Sequence, residues 1–253
     1  MGSPSASPRP SPAAEDAGPR AVSPYAVGVD AVGVDACPGG WVAVTLREGR
    51  FAGADRDAAL AELLARVPAA AVVAVDMPLG LLETGWRRAE ELAIRQVAPH
   101  RARVFPVPPR AVWEESGYDA ANERCRRLTG SGLPRQSWGL AVKLREANAC
   151  REGGDRRLYE VHPEVSFAAM NGGSPVAWSK KGWNGQVQRR RLLLGQDIAL
   201  PEELGPAGRV PPDDVMDAAA AAWSAHRIAL GTAVSLPDPP ETTRDGLPVA
   251  IWY

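Results

Sequence analysis

No stretch of this sequence reaches the ~18 consecutive apolar residues of a membrane-spanning helix, so no span is expected. The N-terminus lacks the basic start and apolar block of a secretory signal. Cysteine is scarce: Cys37, Cys125 and Cys150 form neither a CxxC pair nor a regular framework. That argues against a zinc ribbon or a disulfide scaffold and fits a reducing, cytoplasmic setting. Pro38-Gly39-Gly40 is too short for a P-loop type of phosphate cradle. What the chain does have is 45% apolar residues over a length of 253, enough for one large domain with a buried core. Its net charge of −1 hides an uneven distribution. Residues 86–191 hold 20 Lys/Arg against 11 Asp/Glu, and the remainder holds 9 against 19. An acidic metal site beside a basic substrate surface has this signature, and so does a set of solvated helices rich in arginine.

Residues 1–24 are mostly Ser, Pro and Ala, which predicts a disordered tail ahead of a single domain over 25–253. AVGVD then occurs twice in tandem, at 26–30 and 31–35. Only one copy fits the first strand in register, because a five-residue shift reverses the side-chain faces. The second copy leads into CPGGW and WVAVTL, predicting a strand at 31–36, a turn at 38–40 and a hairpin partner at 41–47. A third strand is expected near 50–54 and a helix over 57–67. AAAVVAVDMPLG reads as a central strand buried on both faces and ending in Asp76. Helices are expected at 86–97, 118–128 and 137–150, with a proline-rich irregular segment at 99–110. A strand and then a helix opened by Pro163 follow in 157–167. A loop over 171–185 leads to a short helix near 186–194, and VPPDDVMDAAAAAWSAHRIAL forms a long helix with a proline start. This order predicts a mixed α/β sheet with flanking helices and a helical insertion.

Acidic residues mark the ends of these elements. Asp35 and Asp76 each end an apolar strand, Glu160 lies in a third, and Asp213, Asp214 and Asp217 open the last helix. A carboxylate in or beside a buried strand is costly unless it is paired or binds metal. Oxygen donors without a His/Cys cluster favour Mg²⁺ or Mn²⁺ over zinc. Each acid has a structural alternative. Asp35 and Asp76 could be turn formers, Asp213 or Asp214 a helix N-cap, and Glu160 the partner of an arginine. Glu164 suits the first helical turn as a dipole partner. His162 could share a strand face with Glu160 or be a satisfied structural histidine. Arg95, Arg110, Arg135, Gln136 and Lys143, together with Trp138, suit a phosphate backbone and stacked bases. Lys180 and Lys181 sit in a Gly-rich loop and could meet phosphate. Solvation alone would also account for all of these polar residues.

The motifs GVDACPGGWVAV, AVDMPLG, VFPVPPR, LPRQSWGL with Lys143, EVHPEVSF, KKGWNG, DDVMDAAAAAWSAHR and GLPVAIWY occur in this order over roughly 28–253. The chain thereby resembles a family of predicted RNase H-like nucleases, a domain of unknown function in bacteria and archaea. The resemblance implies an RNase H-like core in which Asp35, Asp76, Glu160 and Asp214 or Asp217 supply the acids. The chain departs from the family in its duplicated AVGVD and in having Glu90 and Glu91 where the 87–95 helix often carries an Asp. The expected activity is phosphodiester hydrolysis by two Mg²⁺ or Mn²⁺ ions, bridged by Asp35 and held by Asp76, Glu160 and Asp214/Asp217. Nucleic acid of unspecified type is the expected partner, with Arg95, Arg110, Arg135, Gln136, Lys143 and Lys181 as substrate contacts. Two rivals share the fold: a phosphotransferase of the actin and sugar-kinase type, and a non-catalytic nucleic-acid-binding or regulatory protein.

Overall fold

The computed structural model describes residues 30–253; the predicted tail and the first AVGVD copy as far as Val29 lie outside them. The second copy forms β1 (Asp30–Cys37), which turns through Pro38-Gly39 into β2 (Gly40–Arg47) and then β3 (Arg50–Asp57). Gly39 supplies the positive φ of 76° that the tight turn needs. β3 is longer than expected because its antiparallel pairing with β2 runs on until Asp57 faces Trp41. α1 (Leu60–Arg66) buries its leucines and leads to β4 (Ala70–Val75), parallel to β1. The helical insertion follows: α2 (Arg88–Gln96), α3 (Arg110–Trp113), α4 (Tyr118–Thr129), α5 (Arg135–Trp138) and α6 (Ala141–Glu152). The single helix expected at 137–150 is thus two, separated at Gly139-Leu140. β5 (Leu158–Glu160) pairs parallel to β4, and α7 (Pro163–Met170), α8 (Trp183–Leu194) and α9 (Pro212–Ala229) complete the helices. The chain ends in a hairpin, β6 (Ser235–Thr242) and β7 (Pro248–Trp252), that the sequence pattern does not predict. The three prolines of SLPDPPET mask any strand alternation there.

The sheet order is β3-β2-β1-β4-β5, antiparallel through the first three strands and parallel from β1 to β5. Both faces are covered. Val32 and Val34 of β1 join Val73, Val75, Leu60 and Leu158 in the core on one face. Ala31 points the other way, toward Val72, Ala74 and the α9 residues Ala221 and Ala225. Gly33 shares that second face, since side chains alternate along a strand. A Cβ at Gly33 would fall 2.0 Å from the backbone N of Ala222 and 2.1 Å from the carbonyl O of Ala218. The glycine and the fully buried alanines 218–222 therefore let the α9 backbone lie directly on β1. This contact fixes the site. Asp35 follows Gly33 by two residues on the same face, and Asp217 precedes Ala221 by one helical turn.

Candidate metal centre

Asp35 lies near the end of β1. Asp76 follows β4 directly, and its backbone N–H donates to the Val34 carbonyl at 2.9 Å, which sets the two strand ends side by side. Counting parity from Val72 and Ala74, Asp76 faces α9, as Asp35 does. Asp217 meets them from the second turn of α9. One carboxylate oxygen from each of the three residues lies within 4.8 Å of the others. Asp35 and Asp217 are buried and Asp76 is half-buried. The triad lines a cavity of about 640 Å³ at the carboxyl ends of the parallel strands, the usual ligand position in an open α/β sheet. Phe105, Val107 and Leu140 of the helical insertion form apolar walls, and Gln136 and Ser137 add polar groups.

Three carboxylates so close repel one another, and burial weakens their solvation. Burial first, then repulsion from Asp76 and Asp217, raises the Asp35 carboxyl well above its ordinary range. Burial likewise holds Asp76 and Asp217 at about 7, against the attraction of Lys180. The Lys180 ammonium pairs with Asp217 and stands 3.8 Å from Asp213. Despite its own burial, its pKa is raised by Asp217, Asp35 and Asp76. Lys181 pairs with Asp213 at 2.6 Å. With all three acids ionised, Lys180 leaves two formal negative charges in the triad. The buried Oδ1 of Asp217 has no hydrogen-bond partner. An oxygen-only donor set, an unpartnered buried carboxylate oxygen and a two-charge deficit together fit a hard divalent cation such as Mg²⁺ or Mn²⁺. Asp35, Asp76 and Asp217 would hold it.

Glu160 is engaged by an arginine. It pairs with Val75 across β4–β5, and Val75 faces the core opposite α9. Glu160 lines the same cavity but stands outside the triad; it accepts from Leu79 N at 2.7 Å and pairs with the buried Arg87. Arg87 also lies 2.9 Å from the buried Glu90, whose pKa burial raises to about 8. Asp214 lines the cavity in the first turn of α9 but stands outside the triad. Pro211 occupies the N-cap position, so neither Asp213 nor Asp214 caps the helix. His162 is the N-cap of α7 and accepts from the Glu164 backbone N–H at 3.3 Å, so it is not a strand residue. Glu164 joins Arg103 and the buried Arg189.

The expected basic contacts divide in the same way. Gln136 and Lys181 line the cavity. Arg95 instead pairs with Glu91 on exposed α2, Arg110 with Glu152 and Glu83, and Arg135 lies over the Tyr118 ring at 4.0 Å. Lys143 sits 4.6 Å from the Trp41 ring and 3.5 Å from Glu146, and Trp138 stacks on Trp113. None of these four cations lines the cavity. Sequence reasoning gave Lys180 too little weight and did not single out Arg87. The paired lysines of KKGW were the available signal for the first; nothing in the local pattern marks the second.

Fold and site together define a mixed α/β protein whose strand ends and last helix converge on an acidic cavity. Residues 33–242 match the model of the family described as "Protein of unknown function (DUF429)", and the chain belongs to that family. The matched span contains every acid of the cavity. Comparisons with curated proteins and with solved structures returned no match. Among the described residues, no helix is long and apolar enough to cross a membrane.

Proposed function

We infer that this protein is a metal-dependent phosphodiesterase, a nuclease on an RNase H-like sheet. The observation that carries the reading is the Asp35–Asp76–Asp217 triad, with its buried, unpartnered Asp217 oxygen beside Lys180. The sheet supports it: an antiparallel meander followed by two strands parallel to the first is the order that an RNase H-like core requires. A divalent cation held by the triad would supply Lewis acidity and a water of lowered pKa. The chain's own residues do the rest. Asp35 and Asp217, fixed by the β1–α9 contact, present preorganised negative charge. Lys180 is placed to donate a charge-assisted hydrogen bond to a non-bridging phosphoryl oxygen, where negative charge builds up during displacement. Phe105, Val107 and Leu140 offer an apolar wall to a base or sugar and help exclude water. Glu160, paired with Arg87 at the cavity wall, supports the strand ends.

One observation favours a second reading. Lys180 already neutralises part of the triad, so a protein that binds nucleic acid without cleaving it is the alternative. Labelled single-stranded, duplex and hybrid substrates incubated with Mg²⁺, Mn²⁺ or EDTA decide between the two. Cleavage that needs metal and disappears in Asp76→Asn supports the hydrolase. Lack of cleavage with either metal, together with no metal-dependent rise in Tm, rules it out in favour of the binding protein.

A further inference from the structure

Large exposed apolar side chains on a folded domain mark an interaction surface more often than chance placement when they cluster. Here they cluster on one side of α8. Trp178 is 56% exposed, Trp183 79% and Leu194 62%. The two indoles flank the loop that carries Lys180 and Lys181 into the acidic cavity. From Trp183 to Leu194, α8 contains three arginines and no acid. Arg189 turns inward to Glu164, whereas Arg190 and Arg191 face solvent. Neither of these two makes an ion pair among the described residues, unlike Arg95, Arg110 and Arg127 of the helical insertion.

The surface between these side chains is grooved. One groove runs between Trp183, Val187, Arg190 and Leu194, and the next between Trp178, Trp183 and Arg191. A third, around Trp178 and Trp183, reaches Ser179, which also lines the acidic cavity. The grooves and the cavity thus adjoin at Ser179. We propose that these grooves are the binding track for single-stranded nucleic acid, with unpaired bases stacked on Trp178 and Trp183 and phosphates set against Arg190 and Arg191. The track delivers the strand past Ser179 to the triad, and its role as a substrate path rests on the phosphodiesterase reading above.

Three physical points select this occupant. An exposed indole face stacks on a base only when that face is free, which single strands allow and duplexes do not. Arginines without acidic partners complement a phosphate backbone. The shared Ser179 wall brings a strand on these grooves up to the acidic cavity, where its phosphodiester would react. This also moves the nucleic-acid surface away from Arg95, Arg110, Arg135 and Lys143, none of which lines the cavity.

The test is fluorescence anisotropy of a labelled 20-nucleotide oligothymidylate with the full chain in EDTA, so that binding is read without cleavage. The matching duplex serves as comparison. Single strands are expected to bind more tightly than the duplex and to quench tryptophan fluorescence. Trp183→Ala should weaken binding roughly five- to a hundredfold, the range expected for one lost base–aromatic stack. Trp183→Phe should retain most of the affinity. Arg190→Ala with Arg191→Ala should flatten the slope of log affinity against log salt by about 1.4, or about 0.7 per lost phosphate contact. The three substituted side chains are exposed, so unchanged circular dichroism and Tm will show that the variants fold. Equal binding by wild type and Trp183→Ala, or absence of single-strand binding, overturns the track. So does concentration-dependent dimerisation in sedimentation that Trp183→Ala abolishes, since the face would then join two copies of the chain. Metal-dependent cleavage that persists while Trp183→Ala binds normally removes the track and leaves the phosphodiesterase. Tight, Trp183-dependent binding with no cleavage in any metal does the reverse.

Discussion

Replacing Asp35 by Asn separates a ligand cluster from a turn former, because the two roles predict opposite changes in stability. Asn keeps the size and much of the hydrogen bonding of Asp but removes its charge. Asp35 faces Asp76 and Asp217 with carboxylate oxygens within 4.8 Å. A pair of unit charges at about that distance repels by ~1 kcal/mol in water and by ~3–4 kcal/mol at an effective dielectric constant of about 20. Two such repulsions, less the lost attraction to Lys180, leave a net gain of about 1–3 kcal/mol for Asp35→Asn without metal. For a chain of this size that raises Tm by about 2–10 °C. The gain must depend on pH. The folded-state pKa of Asp35 lies above its unfolded value, so between the two the folded protein holds more protons than the unfolded one. Stability in the wild type therefore falls as pH rises through that window. The difference between variant and wild type should be near zero at pH 4, where the carboxyls are protonated, and greatest above pH 7. Thermal unfolding at pH 4, 6 and 8 in EDTA measures it. Adding Mg²⁺ or Mn²⁺ at pH 8 should then raise the wild-type Tm and leave Asp35→Asn nearly unmoved. A variant equally destabilised at every pH, or one that responds to metal like the wild type, would refute the reasoning and make Asp35 a structural residue.

Three further perturbations probe the frame around the triad. Gly33→Ala places a methyl group on the α9 backbone and should cost ~3 kcal/mol or more through overpacking; chemical denaturation measures it, and a neutral result would mean that α9 does not lie on β1 as described. Arg87→Met leaves Glu160 and Glu90 buried without their cation and should cost ~3–5 kcal/mol, partly recovered in the double variant with Glu160→Gln; thermal unfolding of the single and double variants tests the coupling. Lys180→Met removes the ammonium from the triad, so it should lower Tm without metal at pH 8 and enlarge the stabilisation by Mn²⁺; an unchanged metal response would mean that Lys180 does not compete for the same carboxylates.

How far the sequence revealed this arrangement follows from the range over which each signal acts. β1, β2 and β4 were legible because buried strands write their apolar runs locally, and the prolines at 163 and 211–212 marked helix starts that the structure places within a residue. Asp35 and Asp76 were legible for the same reason: each is an acid at the edge of an apolar segment. The start of α9 offered Asp214 and Asp217 alike, and only the folded helix brings Asp217 to the triad. Glu160 shares that local signature, yet it stands outside the triad. The difference lies in register. β5 is three residues long, and its pairing of Glu160 with Val75, rather than with Asp76, leaves the carboxylate at the cavity wall beside Arg87 and outside the triad. A shift of one residue in that pairing would send Glu160 toward α9. Local pattern does not set the register of so short a strand; the Arg87 guanidinium and the Leu79 N–H help to hold it. Lys180 shows the converse. Its loop has no periodicity to read, and its significance arises only when α9 and the strand ends bring three negative charges to within reach of one ammonium. The site is therefore encoded in two layers: acids written locally into strand and helix ends, and cations whose roles depend on tertiary pairing. Charge density along the chain does not distinguish Arg95, engaged by Glu91 one turn away, from Arg190, which faces solvent beside exposed indoles. Only the folded pairing identifies which positive charges remain available to a phosphate.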